Sequence, residues 1–204
     1  MNSPVRIYKT NAVFNEMILI NLSDKSVTKE EKLDQQVRLY HNDELVGINI
    51  EDKDFANNFA TGFNYPSPEN LSLINDYLAD LTFTYDANEN LRIGQVLEFE
   101  AVANSNNLNL CQVKVGESVF AIVCGAANVE VGMKTVVALD NAVLPTGVLI
   151  KAGKVLNTDS AGMLCSKREL GFLQKSDEKG IIKLYDEESL DQSFFEVDWR
   201  SYNV

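Results

Sequence analysis

Residues 119–171 read VFAIVCGAANVEVGMKTVVALDNAVLPTGVLIKAGKVLNTDSAGMLCSKRELG, and this stretch decides the fold. It predicts two short apolar strands, Val119–Cys124 and Lys134–Leu139, separated by a loop of small residues. A proline and a glycine then interrupt the chain, and a third strand is predicted around Val148–Lys151. Short apolar strands at regular spacing with Gly/Pro turns are typical of a small β-barrel.

Two further strands are predicted upstream, at Ile93–Ala103 and Leu108–Val115, and the first of them has near-alternating polarity. Five strands with a short helix or turn after the third match the oligonucleotide/oligosaccharide-binding (OB) barrel. We therefore expect a mainly β protein with some α structure, in which residues 91–172 form a five-stranded OB-fold domain. One face of such barrels, with its loops, accepts single-stranded or looped nucleic acid.

Three motifs carry a resemblance to a known family: IVCGAANVEVGMKTVVAL, AVLPTG and SAGMLCSKRELG. They resemble the tRNA-binding domain at the front of the bacterial phenylalanyl-tRNA synthetase beta chain. With an extra N-terminal segment and no synthetase attached, the whole chain resembles the YtpR family of small bacterial proteins. The resemblance implies a non-catalytic tRNA-binding protein that recognises folded tRNA by shape and backbone, since structured RNA is read mainly in that way.

The same resemblance implies the site residues. The Ser-x-Gly-Met segment is retained, and serine hydroxyls can bond phosphate or ribose while a glycine lets a backbone approach closely. Two cations of a lysine-rich strand and an asparagine of the Cys-Gly-Ala-x-Asn loop are also retained. The implied RNA-binding residues are Asn128, Lys151, Lys154, Ser160, Gly162, Met163 and Ser166.

Other positions depart from the family pattern. Asn107 stands where the family's His-Pro-Asn-Ala-Asp-Lys-Leu segment has its lysine, and Leu156 replaces an arginine. Each change removes a phosphate contact, so two readings stay open. One is tRNA binding of reduced affinity, with Lys114 and Lys134 as the alternative RNA surface. The other is a protein-interaction module that retains the barrel but has lost RNA binding.

Residues 1–88 are predicted to form a small α+β domain. Gln36–Tyr40 and Glu44–Ile50 have the pattern of a hairpin, and Ser67 followed by proline is a helix start. A capping-box spacing at Thr28 predicts a turn of helix there. The polar stretch 86–90 marks the boundary to the barrel.

Charge is distributed unevenly along the chain, whose net charge is −12. Residues 91–172 carry 7 basic and 7 acidic side chains, so the acidity lies outside the predicted binding domain. A neutral domain can hold a local basic patch but exerts no long-range attraction on RNA. The expected partner is tRNA, with no DNA and no membrane partner, since no run of 18 apolar residues is present.

Catalysis, metal binding and cofactors are not expected. His41 is the only histidine, and it lies at a predicted hairpin turn outside the barrel. No Walker-type loop, Gly-x-Gly-x-x-Gly or His-Glu-x-x-His motif is present. Three cysteines without CxxC spacing argue against a zinc site, and an odd count without an export signal favours the cytoplasm.

Residues 173–204 are predicted to be an acidic C-terminal extension that packs on the barrel through its aromatic residues. An aromatic contact within a homodimer is the alternative for this segment.

Overall fold

The computed structural model describes residues 4–11, 13, 16–172 and 179–202. The chain divides into two compact units, Met1–Tyr85 and Asp86–Val204. A sheet dominates each unit, and the described helices are few and short. The predicted fold class, mainly β with some α, is confirmed.

The first unit is built on an antiparallel sheet of six strands in the order β3-β4-β5-β2-β1-β6. Its elements, in chain order, are β1 Arg6–Lys9, β2 Ile18–Asn21, β3 Lys29–Leu33, β4 Gln36–His41, β5 Glu44–Ile50, α1 Lys53–Ala56, β6 Gly62–Asn64 and α2 Pro68–Tyr77.

The core of this unit combines one face of the sheet with one stripe of α2. The pairs Ile7↔Ile20 and Ile20↔Ile48 place isoleucines on the same buried face, since directly opposed residues share a side. The helix begins as predicted: Ser67 accepts a hydrogen bond from the N–H of Asn70, and proline occupies the first turn.

The turn of helix predicted after Thr28 is wrong, because β3 forms there and pairs with β4. The Thr28 hydroxyl does not cap a helix. It accepts a hydrogen bond from the N–H of Asn42 at 2.7 Å, and the Thr28 N–H donates to the carbonyl of Tyr40. The Thr28 groups therefore serve the hairpin next to them, whose turn has Asn42 at a φ of 56°.

The second unit contains a sheet of five strands in the order β13-β10-β7-β8-β9 and a separate two-stranded hairpin, β11–β12. Its elements are α3 Ala87–Asn90, β7 Leu91–Ala101, β8 Asn109–Val115, β9 Ser118–Cys124, β10 Lys134–Leu139, β11 Gly153–Val155, β12 Thr158–Ser160, β13 Gly162–Leu164 and two 3-10 helices, Phe194–Glu196 and Trp199–Ser201.

The five-stranded sheet closes on itself into the predicted OB-type barrel. Its edge strand β9 meets the link between β12 and β13, where the N–H of Ala161 donates to the carbonyl of Ala121 at 2.8 Å. A bulge between Val96 and Glu98 bends β7 so that it pairs with both β8 and β10. Closure removes the exposed edges that an open sheet would present.

Two apolar clusters lie on either side of the barrel wall. The interior cluster includes Val113 and Ile122. On the outer side of β7 and β10, Leu91 packs in one cluster with Phe194 and Tyr202 from the end of the chain. The C-terminal aromatic residues are therefore part of the core of this unit. Residues 173–178, the start of the predicted extension, lie outside the described residues.

The third strand predicted around Val148–Lys151 is wrong: this segment pairs with residues 141–144 through an isolated bridge between Val143 and Leu149 and three backbone hydrogen bonds, but it forms no strand. A tight turn precedes it, in which the N–H of Gly147 donates to the carbonyl of Leu144. The turn leaves too few residues for a ladder, and regular pairing begins only at β11.

We propose that the sequence boundary between residues 88 and 91 separates two independently folding domains. A fragment of residues 86–204 should then fold alone, because its apolar clusters are formed by its own residues. Circular dichroism should show a β spectrum, and urea should unfold the fragment in one cooperative transition. A disordered fragment would contradict the proposed boundary.

Candidate nucleic-acid interface

Ser160 ends β12 and is buried, with 7% of its surface exposed. Its hydroxyl accepts a hydrogen bond from the N–H of Val123 at 3.0 Å and donates one to the carbonyl of Gly162 at 3.0 Å. The side chain thereby holds the turn between β12 and β13 against strand β9. The hydroxyl has one proton, which this geometry uses within the protein.

Gly162 begins β13 at the point where this strand lies against β10. A Cβ atom at this position would lie 2.1 Å from the carbonyl oxygen of Ala138, a distance that no side chain tolerates. The glycine therefore permits a close approach of two backbones inside the barrel wall.

Asn128 lies in the loop after β9, and its amide pairs with the backbone of Ile181. Its Nδ2 donates to the carbonyl of Ile181 at 2.9 Å, and its Oδ1 accepts from the N–H of the same residue at 3.0 Å. Gly180 fits beneath this amide at a φ of +115°, where a Cβ would lie 2.2 Å from Oδ1. These two hydrogen bonds hold the segment at 180–181 against the loop after β9.

Met163 and Ser166 line an open cleft of about 300 Å³, together with Val123, Cys124, Gly125, Ala126, Leu164, Glu169, Gly180 and Ile181. Ser166 and Glu169 cap a turn reciprocally: the Ser166 N–H donates to Glu169 Oε2 at 2.7 Å, and the Glu169 N–H donates to Ser166 Oγ at 3.3 Å. The cleft thus contains a carboxylate. That charge favours donors such as ribose hydroxyls or base amino groups over phosphate.

Lys151 and Lys154 are exposed and belong to neither wall of this cleft. The Lys151 ammonium donates to the Asn141 side chain, and Lys154 lies 3.7 Å from Asp159 across the β11–β12 hairpin. Exposed pairs of this kind contribute little energy and can be exchanged for other anions. The hairpin turn has Leu156 and Asn157 at positive φ, and Leu156 is 60% exposed where the family has an arginine.

Lys114 and Lys134, the two lysines of the alternative RNA surface, differ in whether their ammonium groups are already bound within the protein. The Lys134 ammonium donates to the carbonyls of Asp186 and Glu188, the latter at 2.7 Å, and so anchors the C-terminal segment. Lys114 lies in β8 and is half-buried. The Lys134 contacts could not be predicted from sequence spacing, because they join positions more than fifty residues apart.

The seven predicted residues therefore fall into three groups. Asn128, Ser160 and Gly162 make contacts within the protein, Met163 and Ser166 line the cleft, and the two lysines lie on or before the hairpin. Glu169 and Gly180 complete the site but were not predicted, since neither has a signature at the level of sequence spacing.

Thiol chemistry is not available at this site at neutral pH. Burial raises the pKa of the Cys111 thiol to about 12, and burial also raises the pKa of Cys124, which lines the cleft. The thiol, not the reactive thiolate, is therefore the neutral-pH form.

Among the residues that the structure describes, no group of three or more His, Cys, Asp or Glu side chains is arranged to hold a metal ion. No described helix is long and apolar enough to cross a bilayer.

Comparison with known proteins gives consistent matches. A family model described as "Putative tRNA binding domain" matches residues 91–190. The chain is 34% identical over 194 residues to "Putative tRNA-binding protein YtpR" from Bacillus subtilis, a match that covers 85% of this chain and 94% of that protein. It is 32% identical over 200 residues to the uncharacterized protein MG449 of Mycoplasma genitalium, covering 93% of this chain and 86% of that protein.

A third match covers about half of the chain. The chain is 43% identical over 118 residues to the phenylalanine–tRNA ligase beta subunit of Desulfotalea psychrophila. That match spans 53% of this chain and only 14% of the ligase subunit.

Replacing Gly162 with alanine should destabilise the protein by about 2–3 kcal/mol, because the added methyl group overlaps the Ala138 carbonyl. Gly153→Ala is the matched control: it also begins a short strand, but nothing lies within 4 Å of its Cβ position. The control should change the free energy of unfolding by less than about 0.5 kcal/mol. Urea denaturation of both variants measures the difference, and equal stabilities would contradict a structural role for Gly162.

Proposed function

Because the chain belongs to the family of proteins built on this tRNA-binding domain, YtpR among them, we propose that it binds folded tRNA and catalyses no reaction on it. The observation that supports this most strongly is the whole-length similarity to YtpR, which includes the region before the barrel. The proposed partner is cytoplasmic, and we propose the same location for this protein.

Recognition by shape and backbone is supported by the chemistry of the cleft. Ser166 and Glu169 offer hydrogen-bond acceptors, and Met163 offers a polarizable apolar surface for a sugar or base. The buried groups Ser160 and Gly162 contribute indirectly, since they hold β13, which carries Met163, against the neighbouring strands. No side chain in this cleft is arranged as a bidentate reader of one base type.

Exposed cations outside the cleft are the proposed phosphate contacts. Lys151 and Lys154 can exchange their partners, Asn141 and Asp159, for RNA phosphates without uncovering a buried charge. Such contacts are independent of sequence. We therefore infer binding of many tRNAs with similar affinity.

A protein-interaction role is the second candidate. It is favoured by the β11–β12 turn, which exposes Val155 at 40% and Leu156 at 60% in a chain of net charge −12. A partner protein could cover this apolar tip, whereas RNA phosphates would gain nothing from it. Duplex DNA is not a proposed partner, because the family model that matches residues 91–190 describes a tRNA-binding domain.

Replacing both Lys151 and Lys154 with alanine should weaken binding of total tRNA uniformly across tRNA species. The slope of log affinity against log salt should become shallower by about 1 to 2, since about that many counterions are no longer released. Fluorescence anisotropy at low and moderate salt measures both quantities, with duplex DNA of similar length as the comparison ligand.

The matched control is Lys29→Ala with Lys32→Ala, which removes the same charge from the exposed strand β3 of the first unit. It should leave affinity nearly unchanged. Absence of tRNA binding by the unaltered protein at low salt would contradict the proposed function and favour the protein-interaction role. Unchanged binding by the Lys151/Lys154 variant would exclude the hairpin lysines as contacts.

A further inference from the structure

A second cleft adjoins the first across the backbone of Gly180 and Ile181, which line both. Its volume is about 290 Å³. Three of its lining residues are lysines, and the described lining contains no acidic residue. The lining residues are Asn128, Lys167, Lys179, Gly180, Ile181, Ile182 and Lys183.

This concentration of positive charge is unusual for the chain as a whole, in which 30 acidic side chains outnumber 18 basic ones. The first cleft shows the opposite sign, because Glu169 lines it. Two neighbouring clefts of opposite chemistry thus share one strip of backbone. Clefts lined by one sign of charge focus the electric field and attract ligands of the other sign.

The backbone between Lys179 and Lys183 is held in place by contacts with the rest of the second unit. Lys179 and Lys183 flank the segment that the Asn128 amide fastens at Ile181. The same segment is bound further along, where the N–H of Ile182 donates to the carbonyl of Cys165 at 2.9 Å. The side chains of Ile181 and Ile182 are buried, which anchors the backbone between the lysines. The cationic groups are therefore presented on an ordered backbone.

The charged groups around the cleft leave it able to accept an anion. Glu130 pairs with Lys183 at 2.6 Å, but both side chains are about 60% exposed, so the pair can be replaced. The Lys183 ammonium donates a hydrogen bond to the Glu130 carboxylate, and this bond raises the pKa of Lys183. Glu169 is directed to the Ser166 turn and lines the other cleft.

We propose that this second cleft, formed by Lys167, Lys179 and Lys183, binds the phosphate backbone of the tRNA whose sugars and bases enter the first cleft. The proposal rests on the proposed function and extends it to a contact surface that lies partly outside the family motif, since Lys167 belongs to SAGMLCSKRELG but Lys179 and Lys183 follow it. A single RNA strand carries phosphates on one side and ribose and base groups on the other. The pair of clefts matches this arrangement, with lysines on one side of Gly180–Ile181 and Ser166 with Glu169 on the other.

The test replaces Lys167, Lys179 and Lys183 with alanine in the full-length chain. Total tRNA should bind about tenfold more weakly at moderate salt, which is the loss expected from a few exposed ionic contacts. The slope of log affinity against log salt should become shallower by about 2. A variant with arginine at all three positions should retain both the affinity and the slope, because the charge is preserved.

The matched control, Lys25→Ala with Lys29→Ala and Lys32→Ala, removes the same net charge from the first unit. Circular dichroism confirms that each variant is folded. If the cleft variant binds tRNA no more weakly than this control, the second cleft is not a phosphate site and the proposal is overturned. That result leaves the proposed function intact, provided that the unaltered protein binds tRNA. If the unaltered protein binds no tRNA, the proposed function fails, and this proposal fails with it.

Discussion

The close contact of β13 with β10 at Gly162 is the constraint on which the second unit depends. The absence of a side chain lets the two backbones meet over the Ala138 carbonyl, and the Ser160 hydroxyl then ties the preceding turn to Val123 in β9. These two contacts bring the first and last strands of the sheet together, so the barrel closes. The wall of the first cleft follows from closure, because Val123 and Met163 are brought to the same rim when β9 meets β13.

A retained motif can therefore reflect the needs of the barrel before those of a ligand. Leaving a buried polar group without its hydrogen-bond partner destabilises the folded protein. A serine at position 160 is therefore needed by the fold whether or not RNA is bound. Met163 differs, since it is half-buried and lines the cleft while packing on the outer cluster. The family motif combines both kinds of residue within four positions, and only the structure separates them.

Much of the fold could be predicted from the sequence, because it depends on local signals. The alternation in β7 and the Ser67–Pro68 helix start are examples that reflect neighbouring residues alone. The turn of helix predicted after Thr28 was wrong, because the threonine hydroxyl accepts a hydrogen bond from the N–H of Asn42 in the neighbouring turn. The site was harder to predict for the same reason: the Asn128 amide meets Ile181, a residue 53 positions away. Pairings of that separation leave no periodicity in the sequence.

The distribution of charge along the chain affects how RNA could approach and contact it. The sequence has Asn107 and Leu156 where the resemblance to the family pattern implies cations, and the overall charge of −12 opposes the approach of RNA at long range. At contact distance, however, screening by salt within about 10 Å makes local charge more important than net charge. A cleft with Lys167, Lys179 and Lys183 and no acidic residue in its described lining is favourable on that scale. Under the proposed function, long-range repulsion combined with favourable short-range contact selects a ligand by fit, because an RNA offsets the repulsion only where its shape reaches both clefts.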